Sequence, residues 1–252
     1  MTVFIKKKEA FSLVELSIVI VIIGLLVAGT LAGADLIKTA KLKSLIGEVE
    51  SYKIAVDNFK QQYEELPGDM RNATSFWTTD QNGGTAVQNG NGDGEIQPSS
   101  GDKNAGLTET FYAWNHLTLA KLVPGTFSGS TATGATPGVN IPASKYMDGV
   151  GFSLRYNANP WNYTNALGRF LPANYIATGK AYAAWNIPQT NAFTAQQAYY
   201  VDSKIDDGKP ASGKVIAGLG MGSGVCGSGA APNIIYNTTQ DTIGCVLFIS
   251  ID

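Results

Sequence analysis

The chain has 252 residues and a formal net charge of −2, with 15% of its residues charged. That balance excludes a basic field for nucleic acid and an acidic tail. The 29 glycines, together with many Asn, Thr and Ser, exclude a helical bundle for most of the chain and describe a part rich in turns and loops.

The first ten residues, MTVFIKKKEA, set Lys6, Lys7 and Lys8 directly before an apolar run, 11–33, that reads FSLVELSIVIVIIGLLVAGTLAG and carries one charge, Glu15. A run of this length spans a hydrocarbon core of about 30 Å as a helix, which needs about 20 residues. Positive residues stay on the cytoplasmic side, so the C-terminal part is expected to be translocated. An ordinary signal peptide has an apolar region of about 7–15 residues with a small-residue cut behind it. Here the run is longer and continues into further helix, so a cut behind it would sever a continuous structure. A carboxylate drawn to the bilayer centre costs about 2.5–3.5 kcal/mol, which makes Glu15 a functional candidate.

The basic leader followed by A-F-S-L-V-E-L-S-I-V-I-V-I-I-G-L-L resembles the N-terminal signature of type IV pilins and of the pseudopilins of type II secretion, with Leu13, Ile18 and Gly24 also in the family's pattern. The resemblance implies cleavage by a prepilin peptidase between Ala10 and Phe11, N-methylation of Phe11, and Glu15 as the fifth mature residue. Ala10 stands where the family usually has Gly. It implies a pilin-like α+β fold, a long N-terminal helix packed on an antiparallel β-sheet head with extra short helices. The physics is compatible: a methylated amine stays positive, and a buried carboxylate is tolerable beside a cation. In a staggered stack, Glu15 of one subunit meets the Phe11 amine of its neighbour and sets the register. The bland alternative places Glu15 near the headgroups, where the N-terminal helix dipole favours an acid. Gly29 and Gly33 form a small-xxx-small spacing that lets apolar helices approach closely.

From Asp35 the pattern turns amphipathic. Leu42, Leu45, Val49, Tyr52, Val56, Phe59 and Tyr63 recur at spacings of three and four, a single helical stripe, while Lys38, Lys41, Lys43, Glu48, Glu50, Lys53, Asp57 and Lys60 occupy the other faces. No proline interrupts residues 11–66, and Pro67-Gly68 ends the helix. The expected organisation is a cleaved leader at 1–10, a long helix at 11–64 (transmembrane at 11–34, amphipathic at 35–64) and an extracytoplasmic head at 65–252.

In the head, the pairing of LPGD at 66–69 with NGNGDG at 89–94 resembles a group of long pilin-like proteins. Asn89, Asn91, Asp93, Gly94 and the Glu95 carbonyl follow the first half of a calcium loop, but Ser100 stands where a closing bidentate Glu is needed. The competing reading is a solvated turn rich in Gly and Asn. Residues 108–123 read as an amphipathic helix burying Phe111, Trp114, Leu117 and Leu122. His116, the only histidine, reads as a surface or capping residue, since no second His or nearby Cys accompanies it. A loop at 125–140 follows, then strands at about 150–157, 173–178, 214–219, 233–237 and 243–251. Thr194 and Gln197 form a capping box for a helix with Ala198, Val201 and Ile205 on its apolar face, closed by Asp207-Gly208 and Pro210. Asp202, Asp206 and Asp207 are a second candidate cation group, set against plain solvated acids at a helix end. With the head outside the cytoplasm, Cys226 and Cys245 read as one disulfide, as in the C-terminal region of many pilins.

No G-x-S-x-G, His/Cys cluster or phosphate loop is present, so no enzyme is expected, and no cofactor other than the candidate calcium. The implied partners are copies of the chain and other pilins in a helical filament, prepilin peptidase, the inner-membrane platform and motor, and membrane lipid before assembly. The implied location is the inner membrane, then a periplasmic or surface filament. The alternative is a minor pilin or anchored adhesin binding carbohydrate or DNA through Tyr146, Tyr156, Trp161, Tyr163, Tyr182 and Trp185, aromatics that equally build β cores.

Overall fold

The computed structural model describes residues 12–78, 86–97, 109–129, 134–157, 172–181, 188, 190–219, 226–229 and 233–252. They fall into two compact units, Met1–Lys41 and Leu42–Asp252. Helix α1, Leu13–Tyr63, contributes to each, with Glu15 in its first turn and Lys60 in its last, the signs that the helix dipole favours.

The described part of the first unit is α1 up to Lys41. Its large apolar side chains from Leu13 to Val27 are all at least half exposed. By length and composition this helix can cross a membrane.

The second unit begins where the sequence turns amphipathic. Leu42, Leu45, Val49, Val56 and Phe59 are buried, and Tyr52 and Tyr63 pack against the same core. The stripe read from the sequence is therefore the face that meets the head. α1 stops at Tyr63 because Glu64 takes a positive φ of 59° while its amide still bonds Lys60 O, and Leu66-Pro67-Gly68 then turns the chain inward. Glu48, expected on a solvent face, instead accepts hydrogen bonds from the Ser144 hydroxyl (2.9 Å) and the Lys145 amide (3.2 Å).

Helix α2, Glu109–Leu119, is more deeply set than an amphipathic surface helix: every residue from Glu109 to Thr118 is buried. Three elements surround it. Tyr52 of α1 contacts Trp114 edge-on at 4.9 Å, the first strand packs alongside, and the 88–97 loop bonds its first turn. Leu122, expected inside the helix, lies beyond its end and is only partly buried.

The main sheet is antiparallel, formed by β1 (Val150–Asn157), β2 (Ala173–Lys180), β3 (Phe193–Thr194), β4 (Val215–Leu219) and β7 (Ile243–Ser250). β7 is its hub, pairing with β2 and β3 along one edge and β4 along the other. Its sequence IGCVLFIS is apolar without alternation because both faces are covered. Cys245, Leu247 and Ile249 join the core beneath the helices, while Val246 and Phe248 join Tyr175, Ala177 and Ile216 in a second cluster.

Helix α3, Ala195–Ile205, starts with the expected capping box: Thr194 accepts from the Gln197 amide and the Gln197 side chain accepts from the Thr194 amide. Two short strands, β5 (Gly227–Ser228) and β6 (Ile235–Tyr236), form a hairpin inside the loop that the Cys226–Cys245 disulfide closes, with a Cα–Cα distance of 5.0 Å.

Candidate functional site

The segment singled out by the sequence is the start of α1. Cleavage at Ala10 and the amine of Phe11 lie outside the described residues. The acid is described: Glu15 Oε2 accepts the Ser12 amide at 2.8 Å, and Ser12 Oγ accepts the Val14 amide at 3.3 Å. Ser17 turns away from the acid and donates to Val14 O at 2.8 Å. Around this polar start, Leu13, Val14, Leu16, Ile18 and Val19 are all at least half exposed. A methyl group added at Gly24, Gly29 or Gly33 would meet nothing within 4 Å. Nothing in the described chain fills the space beside these glycines.

The LPGD and NGNGDG segments meet at the end of α1. Asp69, buried, accepts three backbone amides: Gly92 and Asp93 on Oδ1 (2.6 and 3.1 Å) and Gly94 on Oδ2 (2.8 Å). Glu109, also buried, accepts Asn91 and Gln97 amides at 3.0 and 2.9 Å. Glycine is required at 90, where an added Cβ would lie 2.3 Å from the Asp69 backbone. Asn174 then ties the loop to β2, accepting the Ile96 amide and donating to Gly94 O.

The expected calcium half-loop is spent largely on turns. Asn89 Oδ1 accepts the Thr74 amide, Asn91 Oδ1 accepts the Asp93 amide, and Asp93 Oδ1 accepts the Glu95 amide. Sequence reasoning missed Asp69 and Glu109, whose carboxylate oxygens lie within 4.8 Å of that of Asp93. Asp69 was visible only as part of LPGD, and Glu109 carried no local signal. The five amides aimed at Asp69 and Glu109 favour negative charge there and oppose a cation at the same oxygens. Burial, followed by the charges of Asp69 and Asp93, nevertheless pushes Glu109 up to about 7.

Asp202, Asp206 and Asp207 also come within 4.8 Å of one another, but they are not simply solvated acids. Asp202 is fully buried, accepting the Tyr236 hydroxyl at 2.7 Å and the Gly208 amide at 3.1 Å, and burial raises its pKa to about 7. Asp206 accepts the Lys214 and Val215 amides, and Asp207 accepts the Lys209 amide and the Ser212 hydroxyl. The Tyr236 contact fastens the disulfide-closed loop to α3.

His116 is the clear correction. It is not at the surface: it is fully buried in α2, its Nδ1 accepts the Gly68 amide at 3.0 Å, and Nε2 lies 3.0 Å from Gln88 O. That pair of contacts fixes the neutral tautomer with the proton on Nε2, and burial holds its pKa down at about 4. The physical reason is the chain reversal after α1, which brings an amide needing an acceptor against α2. Among the candidate ligand-binding aromatics, Tyr146 is buried, stacked on Phe193 with centroids 5.0 Å apart, and its hydroxyl donates to Gln197. Tyr156 is half-buried on β1. Trp161, Tyr163, Tyr182 and Trp185 lie outside the described residues.

A family described as the prokaryotic N-terminal methylation motif matches residues 5–31. The chain thus carries the prepilin signature of type IV pilins and pseudopilins, on an α+β architecture consistent with a pilin-like fold. The motif indicates a structural protein family rather than an enzyme, with processing by prepilin peptidase and filament assembly with other pilins. Together with the apolar helix it points to membrane anchoring. No curated protein and no solved structure matches the chain.

Proposed function

We propose that the chain is a structural subunit of a type IV pilus or type II secretion pseudopilus. The leader is removed between Ala10 and Phe11, the new amine is methylated, and the 11–34 segment waits in the inner membrane with the head extracytoplasmic. An assembly motor and platform then move it into a filament in which helix α1 packs on other copies and Glu15 pairs with the Phe11 amine of a neighbour. The observation that carries this reading is one carboxylate, Glu15, at the start of an apolar stretch whose large side chains from Leu13 to Val27 are at least half exposed and whose Gly24, Gly29 and Gly33 have nothing beside them among the described residues. Such a surface needs lipid or other helices around it. No cofactor enters the proposal.

The alternative, a minor pilin or anchored adhesin whose head binds carbohydrate or DNA, is less well supported, because Tyr146 is spent in the core. Mass spectrometry of the mature N-terminus tests the main reading. A methylated Phe11 is expected, and an intact Met1 in the membrane-inserted protein sinks it.

A further inference from the structure

Residues 12–15 read Ser-Leu-Val-Glu, the S-x-x-E spacing of a capping box. The geometry carries the Glu15 half of the box, while the Ser12 hydroxyl caps the Val14 amide, one residue short of the box's own partner. Ser12 Oγ accepts the Val14 amide and Glu15 Oε2 accepts the Ser12 amide, so two of the orphan N–H groups at the helix start are satisfied locally. In a bilayer, where water does not reach such groups, each unsatisfied amide costs several kcal/mol. The contact also constrains the acid. One oxygen is held on the backbone, and Oε1 has no partner among the described residues.

We propose that Ser12 is the positioning residue for Glu15: the box holds the carboxylate in the single subunit with Oε2 on the Ser12 amide and leaves Oε1 open for the cation of a second copy. This rests on the reading of Glu15 as the assembly acid. A carboxylate has about four acceptor positions, so the neighbour's ammonium adds to the existing bond without displacing it. Both contacts are charge-assisted, but only the ammonium brings a full opposite charge, so the ammonium supplies the attraction and the amide supplies the direction. Cleavage before Phe11 leaves the Phe11–Ser12 peptide bond intact, so the positioning amide survives processing. The chain offers Glu15 no competing cation among the described residues of α1's first turns, where Glu15 is the sole charge. An acid left free would sample its rotamers and lose ordering entropy on pairing; one already fixed by its own helix start has less to lose.

The test uses the full chain in cells with its assembly machinery, reading filaments sheared from the surface and the mature N-terminus by mass spectrometry. Ser12→Thr keeps both the capping hydroxyl and the amide, Ser12→Ala removes only the hydroxyl, and Ser12→Pro removes the amide that Glu15 accepts. Thr is expected to match the wild type. Ala is expected to lose about fivefold in assembled subunit, the equivalent of a typical N-cap loss, and Pro more than about tenfold, as for a hydrogen bond to a charged group. Cleavage and methylation are expected to be unchanged. If Pro is not cut, the Ala and Thr pair decides. Wild-type assembly of Ala or of a processed Pro variant overturns the proposal, and so does equal loss in Thr, which would mean the machinery reads serine itself. Glu15→Leu in the same experiment separates the two levels. If it assembles normally, the reading of Glu15 fails; if it fails while the Ser12 variants assemble, only the positioning role falls.

Discussion

Two stretches of α1 treat apolar side chains in opposite ways. From Leu13 to Val27 the large apolar residues are 50–84% exposed, whereas Leu42, Leu45, Val49, Val56 and Phe59 are at most 5% exposed. The difference lies in pattern rather than in residue type. The first stretch is apolar on every side, so no single packed face could cover it, and it suits a surrounding environment of lipid or other helices. The second gathers most of its large apolar residues into one stripe, which the head buries at Leu42, Leu45, Val49, Val56 and Phe59 and partly covers at Tyr52 and Tyr63, while Ile54 stays exposed. Acids follow the same division: Glu15 keeps one oxygen open, while Asp69, Glu109 and Asp202 are surrounded by donors from their own chain.

The sharpest way to break this comparison is at Glu15. Glu15→Leu makes the first stretch wholly apolar and is expected to abolish filament assembly, leaving processing and the unfolding midpoint of the head unchanged. Normal filament yield would show that the exposed stretch assembles by apolar packing alone. The reciprocal change is in the second stretch. Phe59 is fully buried, with its ring 4.5 Å from Tyr63 and 6.3 Å from Trp77 and His116. Phe59→Ala is expected to destabilise the head by about 3–5 kcal/mol, read by denaturant unfolding in detergent, with cleavage of the leader unaffected. A loss below about 1 kcal/mol would mean that the head does not depend on the stripe.

Most of the architecture was legible because it is written in local patterns. The α1 stripe carries a periodicity and the Thr194–Gln197 box a cap, and the long strands show as runs rich in Val, Ile, Tyr and Phe between turns. Even the change of solvent along α1 shows in the sequence, as a change from unbroken apolar residues to spacings of three and four. What escaped depends on contacts far apart in the chain. Glu109 gives no sign that the 91–97 loop will bond it, and α2 looks amphipathic because nothing local announces that the loop closes its polar side. The two-residue strands are too short for a period. At the assembly end, Glu15 stood out as the one charge in the apolar run, whereas the part of Ser12 and the engaged oxygen show only in the geometry.

His116 offers the finest test of how the head grips the second stretch, because it touches both that stretch and the turn after it. Its ring stacks near Phe59 and accepts the Gly68 amide just beyond the helix end. Protonation removes that acceptor and places a charge in the core. The folded pKa of about 4 lies below the ordinary 6.5, so the contribution is full above pH 6.5 and is lost as pH falls through 4. A shift of this size corresponds to about 3 kcal/mol. Glu109 and Asp202, both raised to about 7, act in the opposite direction, losing their contribution as pH rises. The wild-type profile alone therefore mixes the two effects, and the useful quantity is the difference between wild type and His116→Gln. Glutamine keeps an acceptor for the Gly68 amide and does not titrate. At pH 7 the variant is expected to be the less stable, through imperfect packing, and between pH 6.5 and 4 the gap is expected to close or reverse. A gap constant across that range would mean that His116 is no more strained by protonation in the fold than in the unfolded chain.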